Sequence, residues 1–394
     1  MAKRILTLNQ ISLKGLDRLP RDHYEIASEF SNPDAILLRS HKLTAEDIAP
    51  SVIAIARAGA GVNNIPVDVC THRGIPVFNT PGANANAVKE LVAAALLLGS
   101  RGILGGNDYV SSLAGISDKA QLNRTLEANK KHYKGSELMG KRLGVVGLGA
   151  IGSLVAEMAL TLGMEVMGYD PALSVDAAWR LPSDVRKAEA LSSLFARCDY
   201  ISLHLPVLDS TRNLIGTELL KQMQPHACLL NFAREEIVDE AALLSALEVG
   251  SLRYYIADFP SPALIGRNDV ILTPHIGAST DEAEDNCAIM AADQLRDFLE
   301  NGNIRHSVNF PALQLERGGA CRLAVTNTNV PKVLTSVLAL LAEQNINVLD
   351  MLNKSRDDIA YNLIDTDTLP SQALLQQMLA LEGVVGVRMI ENTA

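Results

Sequence analysis

Up to about residue 305 the chain carries short apolar runs without polar alternation, the pattern of strands buried on both faces of a parallel sheet. Ile5–Leu8, Ala35–Arg39, Ile53–Ala56 and Val77–Asn79 come first. Leu143–Val146, Glu165–Tyr169, Tyr200–Leu203, Cys228–Asn231, Tyr254–Asp258 and Val270–Thr273 follow. Stretches at helical spacing lie between them, Ser153 to Leu162 being one, so the chain predicts an α/β fold with two doubly wound parallel-sheet domains. A further helix is predicted over Ser279–Asn301, returning the chain to the first lobe and leaving a cleft for a small substrate.

The pattern changes after His306–Pro311, and from residue 318 it reads βαββαβ, a ferredoxin-like order. Leu323–Thr326, Val348–Leu352, Ala360–Ile364 and Val384–Ile390 are the predicted strands, with helices opening at Pro331 and spanning Ser371–Leu381. Pro331 is expected in a first helical turn, where its missing N–H costs nothing. Residues 1–98 are therefore read as a substrate domain, 99–277 as a second α/β domain, 278–306 as the return to the first, and 318–394 as a small regulatory or oligomerising domain.

One turn carries specific chemistry. Gly147-Leu148-Gly149-Ala150-Ile151-Gly152 follows an apolar strand and opens a helix, and the next strand ends at Asp170. Strand, glycine turn, helix, strand and terminal carboxylate together are the signature of a Rossmann-like dinucleotide site. Glycines let the backbone approach a pyrophosphate, and the helix N-terminus offers unpaired N–H groups. Asp170 would accept hydrogen bonds from ribose hydroxyls and repel a 2′-phosphate. No Arg follows among Pro171–Asp176, so NAD is expected rather than NADP.

Composition narrows the partners. With a net charge of −10 the chain lacks the basic surface that nucleic acid requires. The five cysteines are scattered without a C-x-x-C pair, which points to buried reduced thiols rather than metal or redox work. Neither a secretory leader nor a bilayer-spanning run is present, so the expected compartment is the cytoplasm.

Lys141–Gly152, Asn231-Phe232-Ala233-Arg234 and Thr273–Thr280 resemble the D-isomer-specific 2-hydroxyacid dehydrogenases, and Arg57–Asn64 and Gly74–Pro81 extend the likeness into the first lobe. The tail resembles an ACT domain. The combination is similar to the branch that oxidises 3-phospho-D-glycerate with NAD at the head of phosphorylated L-serine synthesis. The resemblance implies Arg234 holding the carboxylate and developing carbonyl, and His275 as acid/base, a role for which a near-neutral imidazole suits. It implies a cofactor pocket of Gly147, Gly149, Ala150, Ile151, Gly152, Asp170, His204, Pro206, Phe232, Ala233, Asp258, Gly277 and Ala278. Arg57, Gly59 and Asn84 are implied on the substrate. Asn327, Asn329 and Asn347 are implied around a serine effector, and a homodimer or homotetramer is expected.

The chain departs from the family in places. Most relatives carry a Glu shortly after the strand ending at Asp258, and here Phe259-Pro260-Ser261-Pro262-Ala263 has none. Glu235 and Lys332 stand where glycine is usual, and Asn327 where a His is usual. Two other readings stay open: a hydroxypyruvate, glycerate or other D-2-hydroxyacid reductase, and a catalytically impaired NAD-sensing protein. Lys130, Lys131, His132 and Lys134 form a basic cluster that is either a solvated face or an arm reaching a neighbouring subunit's substrate.

Overall fold

The computed structural model describes residues 2–391, so Met1 and residues 392–394, the end of the predicted tail, lie outside the described residues. The chain divides into two compact units, one running to Asn84 and resuming at Asp281, the other Ala85–Thr280.

The first unit holds a parallel five-stranded sheet. Its strands stand in the order Tyr24–Ala27, Lys3–Leu8, Ala35–Leu38, Ala54–Arg57, Val77–Phe78. The first of these was not predicted. Helix Asp281–Asn301 lies on this sheet, burying Cys287, Ala288, Ala291, Ala292, Leu295 and Phe298 against Ile5, Leu37, Ala56 and Phe78.

The same unit includes the C-terminal domain, whose element order is the predicted βαββαβ. Strands Cys321–Thr328, Val348–Arg356, Ile359–Thr366 and Val384–Glu391 form one antiparallel sheet. One detail differs from expectation. The first helix is Val333–Glu343, with Lys332 as its N-cap in the left-handed region at φ 77°, so Pro331 precedes the helix instead of opening it. A lysine occupying a conformation suited to glycine accounts for the displaced start.

This domain grips the end of helix Asp281–Asn301. Arg388 donates to the carbonyls of Phe298 (2.6 Å) and Leu299 (3.3 Å), and Arg317 to that of Glu300 (2.8 Å). Arg322 donates to Asn301 O (3.0 Å) and the Tyr361 hydroxyl to Gly302 O (2.8 Å). Phe298 O also accepts from Gly302 N (2.9 Å), and carbonyls of a last helical turn form the negative end of the helix dipole, so guanidinium groups suit them. Arg322 also makes a fully buried bidentate pair with Asp365, Nε–Oδ1 2.6 Å and Nη2–Oδ2 2.8 Å.

The second unit is built on a parallel seven-stranded sheet. From one edge its strands are Val270–Leu272, Tyr254–Ala257, Cys228–Asn231, Tyr200–Leu203, Arg142–Val146, Glu165–Tyr169 and Arg186–Lys187. Helix Ala85–Ser100 belongs here: Val88, Val92, Ala95 and Leu96 pack with Leu143, Val145 and Val155. Helices Ile103–Ser112 and Lys119–Asn129 bury none of their residues. Among the described residues, no helix is long and apolar enough to cross a membrane.

Candidate active site

In the seven-stranded sheet the chain order reverses between Arg142–Val146 and Tyr200–Leu203, and ligands of open α/β sheets bind at the carboxyl edge of such a switch point. Gly147 leaves the first of these strands at φ 88°, and a Cβ on it would lie 2.5 Å from the carbonyl oxygen of His204, which leaves the second. Only glycine fits there. At Gly152 a Cβ would overlap the Gly147 carbonyl, which seats helix Ala150–Thr161 against the turn. Gly149, the N-cap, is exposed and a Cβ there would meet only open space, so the first-turn N–H groups face an unobstructed surface.

Asp170 closes the turn from the neighbouring strand. Its Oδ2 accepts from Leu148 N (2.9 Å) and its Oδ1 from Ala172 N (2.9 Å), which fixes the carboxylate at the end of Glu165–Tyr169. Open helix amides, a close-approach glycine turn and a fixed carboxylate fit the pyrophosphate and ribose of a dinucleotide. His204 is packed behind the turn with Nε2 2.8 Å from Ser202 Oγ, while its Nδ1 is buried without a partner. Burial pushes its pKa down to about 3, so it is a neutral imidazole behind the turn. Pro206 is exposed beyond it.

Strand ends at the same carboxyl edge carry the predicted catalytic pair, Arg234 after Cys228–Asn231 and His275 after Val270–Leu272, with Tyr254–Ala257 between those two strands. After Cys228–Asn231, buried Asn231 shapes the turn, donating from Nδ2 to Arg234 O (2.9 Å) and Tyr255 Oη (3.2 Å) and accepting from Ala233 N (3.2 Å). Phe232 and Ala233 are buried and Arg234 is exposed, its Nη1 donating to Ala233 O at 2.7 Å. Glu235 begins a short 3-10 turn and is exposed.

After Tyr254–Ala257 comes Asp258, 2% exposed. Its Oδ1 accepts from Thr273 Oγ1 (2.6 Å) and Ile276 N (2.8 Å), and its Oδ2 from Gly277 N (2.6 Å). Those donors bracket His275, which is exposed and left-handed at φ 57°. The Phe259 ring lies 4.9 Å from the imidazole, tilted by 59°. Ala278 follows, half-buried.

The substrate candidates of the first unit sit at the carboxyl ends of its own strands. Arg57 closes Ala54–Arg57 and braces the following loop, donating from Nε to Arg39 O (2.8 Å) and from Nη1 to Gly61 O. Gly59 accepts from Thr80 N at 3.1 Å, and Asn84 is half-buried in the turn after Pro81. Sequence reasoning missed Arg39, which follows Ala35–Leu38 and pairs with Glu284 at 2.6 Å. A cation ending an apolar strand, as Arg57 does, was the available signal.

The effector candidates are not gathered within one chain. Asn327 is buried, its Nδ2 donating to Thr328 O (2.7 Å) and its Oδ1 accepting from Asn362 (2.7 Å). Strand register puts Asn327 opposite Ala360 and Val348 opposite Thr366, so Asn347 and the Asn327–Asn329 segment stand at opposite ends of the sheet. The basic cluster is a 3-10 turn, Lys130–Tyr133, whose Lys130 pairs with Glu127; Lys130, Lys131, His132 and Lys134 are all exposed.

Comparison with known proteins gives the family. Residues 110–277 match the family described as D-isomer specific 2-hydroxyacid dehydrogenase, NAD binding domain. The chain is 34% identical over 367 residues to a D-3-phosphoglycerate dehydrogenase of Haemophilus influenzae, covering 89% of this chain and 85% of that one. It is 33% identical over 387 residues to the enzyme of that name from Escherichia coli, covering 94% and 90%. Among solved structures it resembles NAD+-bound 3-phosphoglycerate dehydrogenase of Entamoeba histolytica, with a TM-score of 0.61 at 29% identity over 79% of this chain and all of that one.

Proposed function

The chain belongs to the D-3-phosphoglycerate dehydrogenase family, and from that premise we propose that it oxidises 3-phospho-D-glycerate to 3-phosphohydroxypyruvate with NAD, the entry to phosphorylated L-serine synthesis. The observation that carries this reading is the shared carboxyl edge of the second sheet, where one glycine turn and two strand-end turns present Asp170, Arg234 and His275.

Gly147, Gly149 to Gly152 and Asp170 would hold the dinucleotide, with His204, Pro206, Phe232, Ala233, Asp258, Gly277 and Ala278 around it. When bound, the nicotinamide supplies the hydride acceptor. The chain's own residues do the rest. Arg234 offers guanidinium N–H groups to the substrate carboxylate and to the oxygen that becomes a carbonyl. The His275 imidazole takes the hydroxyl proton and returns it in the reverse direction. A phosphorylated three-carbon acid needs several cations; Arg57, with Gly59 and Asn84 beside it, is read as part of that supply, and Arg39 as a second guanidinium of the same lobe.

The C-terminal domain reads as an ACT domain. A serine site using Asn327, Asn329 and Asn347 would draw on two copies, since they stand at opposite ends of one sheet. Exposed Ile103, Leu104 and Val110, on a helix with no buried residue, support an interface between copies.

The pair is tested by Arg234→Lys and His275→Gln. Turnover of 3-phosphohydroxypyruvate should fall about 10²–10⁴-fold while NADH affinity, read by fluorescence titration, stays within about threefold. Unimpaired turnover in either variant overturns the assignment.

A further inference from the structure

His275 is held in an unusual way. A histidine at φ 57° is in a sparsely populated backbone region, kept only where its surroundings dictate it. The surroundings here are two consecutive residues at the end of Tyr254–Ala257. Asp258 gathers Thr273 Oγ1 and Ile276 N on one oxygen and Gly277 N on the other, so donors before and after residue 275 converge on a single buried carboxylate. Thr273 N is also tied to Ala257 O at 3.0 Å. Phe259, the next residue, lays its ring beside the imidazole. Among the described residues, no carboxylate makes a salt bridge or hydrogen bond to that ring.

We propose that Asp258 and Phe259 are the positioning residues of His275: Asp258 fixes the main chain that carries it, and Phe259 fixes the plane of its ring. The division is physical. A carboxylate fully engaged by turn donors sets where the Cα–Cβ bond points, and rotation about the remaining side-chain bonds is limited by an aromatic wall. Orientation of the proton carrier thus comes from strand end and packing, without a second acid. The inference rests on the reading of His275 as that carrier.

Asp258→Asn replaces the acceptor facing Gly277 N with an amide, setting donor against donor. Thr273→Val removes one donor and leaves Asp258 in place. Phe259→Leu keeps bulk and loses the flat ring, and Phe259→Tyr restores it. Hydrogen exchange should quicken about tenfold or more at Ile276 and Gly277 in Asp258→Asn, less in Thr273→Val, with the rest of the second unit unchanged. Turnover should fall about tenfold or more in Asp258→Asn and in Phe259→Leu, in the latter at unaltered NADH affinity, and recover in Phe259→Tyr. If Asp258→Asn leaves both exchange and kcat alone, whatever it does to NADH binding, the proposal fails. If Phe259→Leu turns over like the parent, the ring's part fails. A parent protein that reduces no 2-keto acid would instead defeat the dehydrogenase reading, while the exchange result would still report on the turn.

Discussion

Arg322→Met is the perturbation whose cost can be worked most fully from the structure. The guanidinium spends all its N–H groups: Nε and Nη2 on Asp365, Nη1 on Asn301 O and Leu315 O, and Nη2 again on Glu316 O at 2.6 Å. Both side chains of the ion pair are fully buried. Removing the arginine leaves a carboxylate in the interior that still accepts from Gly318 N (2.8 Å), and stranding a buried charge costs about 3–5 kcal/mol. That is a large part of a domain stability of about 5–15 kcal/mol. The expected result is an early urea transition by far-UV circular dichroism, with exchange rising first in strands Cys321–Thr328 and Ile359–Thr366 and at the end of helix Asp281–Asn301. Arg322→Met with Asp365→Leu removes the stranded charge. It should recover only in part, since three carbonyls still lose donors worth about 1 kcal/mol each. A single variant within about 0.5 kcal/mol of the parent would refute the reasoning.

Other outcomes follow from the same geometry. Asp170→Ala should weaken NADH binding about tenfold or more and narrow the preference over NADPH, since it removes a fixed acceptor and a negative charge; an unchanged preference in paired fluorescence titrations counts against Asp170 as ribose ligand. His204 is neutral in the fold down to about pH 3, whereas unfolded it binds a proton below about 6.5. Its pKa is lowered by folding, so the unfolded state binds the extra proton and stability drops by about 1.4 kcal/mol per unit as pH falls through that window. His204→Gln should flatten that slope in urea titrations, and identical slopes would exclude the effect. Replacing Lys130, Lys131 and Lys134 with Ala should raise KM for the phosphorylated acid more than for hydroxypyruvate; unchanged kinetics would leave the cluster a solvated face.

The sequence was most readable where burial is uniform. Tyr200–Leu203 and Cys228–Asn231 match their predicted limits because central parallel strands are buried on both faces. Edge strands lack that signature: Tyr24–Ala27 mixes buried Tyr24 with exposed Glu25, and Arg186–Lys187 is exposed, so both escaped notice. Pro331 misled because its neighbour Lys332, not the proline, decides where the helix starts. The glycine turn and the positions of Arg234 and His275 were legible as local motifs. What holds them was not. The donors of Asp258 lie fifteen and more residues away, and Asn231 reaches across to the hydroxyl of Tyr255, so their roles exist only after the strands pair. Arg322 had left one trace, the single charged residue of strand Cys321–Thr328.

The most direct test follows NADH oxidation with 3-phosphohydroxypyruvate and with hydroxypyruvate under identical conditions. The account predicts a kcat/KM larger by about two orders of magnitude for the phosphorylated acid, the worth of about 2.7 kcal/mol of added cation contacts. Equal rates, or a preference for hydroxypyruvate, would contradict it.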